Sequence, residues 1–180
     1  MRVVVVGCGY VGLALAEQLR ARGHAVTGVR RSDAGIDAVD AVGPGVEAVR
    51  ADATDPESLS ALPDADAVVF AASSGGRGAD AAREVYVDGL ANVIDEYGSR
   101  ASPPARLVYT SSTGVYGDHD GGWVDEETPI DPTTEKTRVL AEAERVATER
   151  AADRGIDGTV VRFAGLYGPE RYRLERYVEG

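Results

Sequence analysis

Three glycines near the start of the chain have the spacing of a phosphate cradle. Gly7, Gly9 and Gly12 stand in the order GCGYVG, directly after the valine run Val3 to Val6. Gly7 lets the chain turn sharply off a strand. Gly9 has no Cβ, so the backbone can approach a pyrophosphate, and Gly12 lets the following helix pack closely on the sheet. The free N–H groups at the start of that helix, around Cys8, Tyr10 and Val11, then face the phosphates. The pattern gains meaning from its context, because an apolar strand precedes it and an amphipathic helix follows. The alternative is an ordinary glycine-rich turn in another α/β protein.

Arg30-Arg31-Ser32 is the next chemically loaded stretch, at the end of a strand expected over residues 25–30. An acidic residue there would accept hydrogen bonds from the adenosine ribose and select NAD. Two guanidinium groups and a hydroxyl suit a 2′-phosphate instead. The expected cofactor is therefore NADP, with NAD as second choice. The other reading leaves both arginines solvated, one of them over the adenine face. Asp52 and Ala53 follow the third expected strand, where a carboxylate can accept from adenine N6 or simply hold a turn. Ala71, Ala72 and Ser73 follow the fourth, at the edge where open parallel sheets bind ligands.

The apolar pattern supplies the scaffold for these groups. Strands are expected at residues 2–6, 25–30, 46–50, 67–71, 105–111 and 158–163. Helices are expected at 10–22, 78–97 and 133–154, with a weaker one at 32–42 interrupted by Gly35. A short helix opens at Asp55, a suitable cap, with Pro56 in its first position. The first helix carries its apolar stripe on Val11, Ala14, Leu15, Ala16 and Leu19. A polar, glycine-rich loop covers residues 112–132, and loops of that length inside a domain tend to be functional. Trp123, the sole tryptophan, either walls a cleft there or, as the favoured reading, packs the loop. A further helix is expected to begin at 171–178. Strands alternate with helices six times, which implies an α/β fold: a doubly wound parallel Rossmann sheet with helices on both faces.

Composition narrows the function classes. The 180 residues are 43% hydrophobic, enough for one sizeable core. No apolar run is long enough for a membrane span, and the N-terminus enters a strand at once. Cys8 is the only cysteine, so no intrachain disulfide can form, and a cytoplasmic location is expected. A net charge of −11 argues against binding a nucleic-acid backbone. The basic side chains are all arginine except Lys136. An acidic, lysine-poor surface resembles proteins of halophilic organisms; a GC-rich genome encoding an ordinary acidic protein is the alternative.

Four stretches, GCGYVG at Gly7 to Gly12, ADATD at Ala51 to Asp55, SSTGVYG at Ser111 to Gly117 and RFAGLYGP at Arg162 to Pro169, resemble the extended short-chain dehydrogenases/reductases of the NAD-dependent epimerase/dehydratase group. VTGVRRS and GGWVDEETP look most like an atypical, YeeZ-like branch. The resemblance implies an NAD(P)-dependent oxidoreductase or epimerase-like enzyme. Its substrate would be a sugar nucleotide or another small polar hydroxyl or carbonyl compound. It also implies a homodimer formed through the helices at 78–97 and 133–154.

Such families use a serine or threonine, a tyrosine and a lysine. A lysine ammonium beside a tyrosine favours the phenolate, which then serves as acid or base at a carbinol or carbonyl carbon. The cofactor carries the harder chemistry. By resemblance Ser112 falls at the hydroxyl position, four before Tyr116. The tyrosine and lysine positions hold Lys136 and Leu140, between Pro132 and Glu144. Leu140 can neither favour a phenolate nor hydrogen-bond a ribose. Three readings remain. Lys136 is itself the proton donor, against the favoured view of it as a solvated residue of the first helical turn. Tyr116 substitutes for the missing phenol, against a packing role. Or the protein is a non-catalytic dinucleotide-binding sensor or scaffold. Gly168 and Pro169 are expected to line the same pocket. Family members continue into a carboxyl-terminal part that shapes the substrate site, so residues 1–180 are expected to be a dinucleotide-binding domain with that part absent or truncated.

Overall fold

The computed structural model describes residues 1–75 and 78–169. The helix expected at 171–178, and Gly76 of the loop after the fourth strand, lie outside the described residues. Six strands form one sheet: β1 (Arg2–Val6), β2 (Ala25–Arg30), β3 (Val46–Arg50), β4 (Ala67–Phe70), β5 (Arg106–Ser112) and β6 (Asp157–Phe163). Every neighbouring pair is parallel and the order is β3-β2-β1-β4-β5-β6. This is the doubly wound sheet expected from the alternation of elements.

The valine run of β1 shows why the sheet must be covered twice. Side chains alternate across a strand. Val3 and Val5 pack with Cys8, Ala16, Val26 and Val39 on one face. Val4 and Val6 pack with Phe70, Leu90, Ile94 and Tyr109 on the other. A strand buried on both faces reads as continuous rather than alternating hydrophobicity.

Helices α1 (Tyr10–Ala21) and α2 (Asp33–Asp40) cover the first face. In α1 the stripe differs slightly from expectation: Leu13 packs against the core while Ala14 is exposed. Gly35 does not break α2. The Ser32 hydroxyl accepts from the Gly35 N–H at 3.3 Å and caps the helix. A Cβ on Gly35 would lie 2.5 Å from Arg30 Nε, so this glycine makes room for the arginine at the end of β2.

The other face is covered by α3, residues 79–98, and α4, residues 135–153. Each is α-helical at both ends and widens into a π-helical turn between, at Glu84–Gly89 in α3 and Val146–Arg150 in α4. Thr134 starts α4 with a capping box in which Thr137 takes the usual Glu or Gln place. Two 3₁₀ turns, Pro56–Ala61 and Thr113–Tyr116, complete the regular structure. The first has the expected Asp55 cap, which accepts from the Glu57 N–H at 3.2 Å. Trp123 corrects the packing expectation, since it is fully exposed and packs nothing. Among the described residues no helix is long and apolar enough to cross a membrane.

The chain winds outward from β1 to β2 and β3, then returns to add β4 beside β1. The connections leaving β1 and β4 therefore part above the carboxyl ends of these strands. That divergence opens the crevice in which a doubly wound sheet binds its ligand.

Candidate functional site

A cavity of about 1010 Å³ runs along the carboxyl edge of the sheet. Gly7, Gly9, Tyr10 and Val11 form its middle. Arg30, Arg31, Ser32, Asp52 and Ala53 form one end, and Ser112, Lys136, Leu140 and the segment from Phe163 to Leu166 form the other. Ala71, Ala72 and Ser73 also line it, with Ala72 directly against Gly7.

The glycine turn is strapped to β2, because the Gly7 and Cys8 N–H groups both donate to the Val29 carbonyl, at 3.2 and 3.1 Å. Gly7 has φ +79°, and a Cβ there would lie 2.2 Å from Ala72 Cα. Only glycine fits this crossing of the β1 and β4 connections. Gly9 is the N-cap of α1 and offers no side-chain bond to the first turn, which also holds no acidic residue. A helix N-terminus of this kind directs backbone N–H groups towards an anion. A backbone cradle without side chains at an uncapped helix N-terminus fits the diphosphate of a dinucleotide.

Gly12 has the close-packing place expected of it, whereas Cys8 is not the phosphate contact expected. Gly12 lies beneath the turn, where a Cβ would come within 3.0 Å of Val5 Cγ1. Cys8 is fully buried in the core on the α1 and α2 side. Burial, opposed by Arg30, pushes its thiol up to about 11. Both residues shape the turn from below rather than line the cleft.

At the end lined by Arg30, Arg31 and Asp52 the arginines are engaged with carboxylates. Arg31 pairs with Asp52 at 3.5 Å. Arg50 pairs with Asp33 and donates to the Arg31 carbonyl at 3.0 Å. The Arg30 guanidinium lies over Gly9, 2.8 Å from where a Cβ would stand. Asp52 also accepts from the Thr54 N–H and hydroxyl at 3.0 and 2.9 Å. Partial burial opposes ionisation, but the Thr54 bonds and Arg31 together hold this carboxyl below its ordinary range.

At the far end Ser112 Oγ accepts from the Gly114 N–H at 3.2 Å, so its own proton remains available. Lys136, in the first turn of α4, is exposed yet lines the cleft, with Leu140 one turn on. Among the described residues Lys136 makes no hydrogen bond or ion pair. The lining at this end reaches Leu166 but does not include Gly168 or Pro169.

Tyr116 is placed differently from the expectation of a phenol in the cleft. It is buried away from the lining. Its hydroxyl donates to the Asp125 carbonyl at 2.6 Å and accepts from Arg162 Nη1 at 2.7 Å. Arg162 in turn holds the buried Glu144, whose carboxylate also accepts from the Ser111 hydroxyl at 2.6 Å. This network fastens β5, β6, α4 and the 112–132 loop together behind the cleft. Reading the sequence missed two residues here. Glu144 carries no sequence signal beyond its register, and Tyr86, on the π turn of α3, lines the cavity although its place in an expected helix at 78–97 does not single it out. Among the described residues no group of three or more His, Cys, Asp or Glu side chains could hold a metal ion.

Comparison with known proteins agrees with this architecture. The sequence model of the NAD dependent epimerase/dehydratase family matches residues 3–178. Protein YeeZ of Escherichia coli (strain K12) is 35% identical over 174 residues, which is 95% of this chain and 61% of YeeZ. This chain thus spans about three-fifths of that relative's length. A crystal structure of UDP-galactose 4-epimerase is 26% identical with a TM-score of 0.80, covering 96% of this chain and 59% of that one. DesIV, a dTDP-glucose 4,6-dehydratase from Streptomyces venezuelae solved with NAD bound, is 25% identical with a TM-score of 0.79, covering 96% and 58%.

The dinucleotide named with such relatives is NAD, and this corrects the expectation of NADP drawn from Arg30, Arg31 and Ser32. The structure supplies a reason why that argument failed. Arg31 already has a carboxylate partner in Asp52, and Arg30 lies over the glycine turn. Family match, relatives and cleft converge: the chain belongs to the NAD-dependent epimerase/dehydratase family.

Proposed function

We propose that this chain is the dinucleotide-binding part of an NAD-dependent oxidoreductase or epimerase that acts on a sugar nucleotide or a similar small polar hydroxyl or carbonyl compound. One observation carries the reading: a single cleft joins the side-chain-free phosphate cradle at Gly7 and Gly9 to an available hydroxyl and ammonium at Ser112 and Lys136.

The residues divide the work by position. The glycine turn and the first turn of α1 bind the diphosphate through backbone N–H groups. Asp52 and Arg30 flank the adenosine. Ser112 donates its proton to the substrate oxygen and orients it. Lys136 holds or moves a proton at that oxygen, the task of a positioned acid or base. NAD, when bound, supplies the exchange of hydride with the substrate carbon. Residues 1–180 then form the cofactor half of the enzyme, and a further part completes the substrate pocket. The same reading includes a cytoplasmic location, homodimerisation through α3 and α4, and an origin in a high-salt cell.

Calorimetric titration with NAD, followed by incubation of the loaded protein with UDP- and dTDP-hexoses, tests the proposal. Binding of NAD, with sugar-dependent formation of reduced nicotinamide or a new sugar epimer, is the expected result. Failure to bind NAD overturns it. Leu140, apolar where such enzymes carry lysine, favours a second reading: a dinucleotide sensor without turnover. NAD binding without reduction or epimer formation, in a protein that also carries the completed pocket, would select that alternative.

A further inference from the structure

The cleft's far end contains several polar groups, and most are already committed within the protein. The Thr110 hydroxyl donates to the Phe70 carbonyl at 3.2 Å. The Ser111 hydroxyl donates to Glu144 at 2.6 Å. Tyr116 is bonded to Asp125 and Arg162 behind the wall. Among the donors on this lining, the hydroxyl of Ser112, the ammonium of Lys136 and the phenol of Tyr86 keep a proton without an acceptor among the described residues.

Tyr86 differs from the chain's other described tyrosines. Tyr97 donates to the Pro63 carbonyl, Tyr109 is sealed in the core, and Tyr10 belongs to the phosphate turn. Tyr86 brings a second phenol to the cavity, which Val85 and the β5 residues Thr110, Ser111 and Ser112 also line. Its oxygen accepts the Ser74 N–H at 3.3 Å, which ties the ring to the loop after β4 and leaves its proton for a ligand. Tyr86 also lies within the Glu84–Gly89 π turn. The wider turn breaks the 3.6-residue register in which an apolar stripe would bury it, and such turns are frequent at functional sites.

We propose that Tyr86 supplies the phenol of this site: with Ser112 and Lys136 it reassembles a serine, tyrosine and lysine set from β5, α3 and α4, and its hydroxyl hydrogen-bonds the nicotinamide half of the bound dinucleotide. Leu140 leaves that half without a donor from the second turn of α4, and Tyr86 provides one from the helix packed beside it. Arg83 and Glu142, paired across α3 and α4, show that the two helices run side by side at this level. The inference rests on the NAD reading above.

Two probes separate the inference from that reading. ADP reports only on the adenosine and diphosphate end, whereas NAD reports on the whole cleft. Tyr86→Phe keeps the ring and removes only the hydroxyl. Calorimetry on the wild-type chain and the variant should give equal ADP affinity and an NAD affinity lowered about fivefold to tenfold in the variant, the effect of one hydrogen bond. Equal NAD affinity in the two proteins overturns the role of Tyr86. Loss of ADP affinity alongside NAD affinity also overturns it, because the hydroxyl would then serve the fold. Failure of both ligands to bind the wild-type chain removes the NAD reading itself, and this inference with it.

Discussion

Arg162 grips Glu144 through parallel hydrogen bonds, Nε to Oε1 at 3.0 Å and Nη2 to Oε2 at 2.9 Å, with the carboxylate almost wholly buried. The Glu144 bond, opposed by partial desolvation and joined by Tyr116, raises the Arg162 pKa further above its ordinary range. Removing one partner of a buried pair leaves the other uncompensated. Glu144→Ala should lower the unfolding free energy by about 3 kcal/mol, and adding Arg162→Met should restore much of that loss. Urea unfolding of the three proteins measures both effects. A single-variant cost near zero would mean that the pair is not what fastens β6 to α4.

Gly7 and Gly9 should respond in opposite ways. At Gly7 a side chain meets the Ala72 backbone at φ +79°, so Gly7→Ala should destabilise the fold by about 3 kcal/mol. At Gly9 the nearest obstacle is the flexible tip of Arg30, which can move. Gly9→Val should therefore keep its melting temperature while losing NAD affinity, because the new side chain fills the pyrophosphate's space. Retained NAD affinity in a folded Gly9→Val protein would place the diphosphate elsewhere.

Asp95 ties α3 to α4 by accepting from Arg150 Nε at 3.0 Å and Arg154 Nη2 at 2.9 Å. The Arg150 bonds, against partial burial and helped by Arg154, hold its carboxyl below the ordinary 3.8. A depressed folded value means that the unfolded chain binds the proton more readily. The stabilisation is therefore complete above the unfolded value and is lost as pH falls through the folded one. The groups are one-third to nearly half exposed, so the tie is worth about 1 kcal/mol or less. Asp95→Asn should cost that much at neutral pH and nothing at the acid end. A parallel loss at all pH values would contradict this account.

The net charge of −11 makes a compact state repel itself. Ionic screening shortens the range of that repulsion from about 10 Å at 0.1 M salt to about 3 Å at 1 M. The melting temperature should rise by at least about 3 °C between low and molar potassium chloride. A flat or falling profile would indicate that the arginine–carboxylate pairs, weakened by salt, outweigh the excess acid.

The scaffold was legible because its signals are local. Val3 to Val6 can only be a doubly buried strand, and Gly7, Gly9 and Gly12 follow it at fixed offsets. What escaped reading depended on distant partners. Glu144 stands in the polar-looking run AEAER and is buried only because Arg162, eighteen positions on, reaches it. Tyr86 is not singled out by the sequence, because nothing in its neighbourhood announces a π turn. Trp123 misled in the other direction, since a large aromatic side chain is no guarantee of burial. Arg30 and Arg31 suggested a phosphate because Asp52, twenty-one residues beyond Arg31, could not be seen as its partner.

Lys136 carries the sole ε-amine of the chain and stands in the cleft. Within residues 1–180 a reagent that selects side-chain amines therefore meets Lys136 alone. This part of the molecule thus carries a built-in attachment point for a fluorophore or crosslinker in its cleft. Occupancy of the cleft then becomes readable as protection of that one amine.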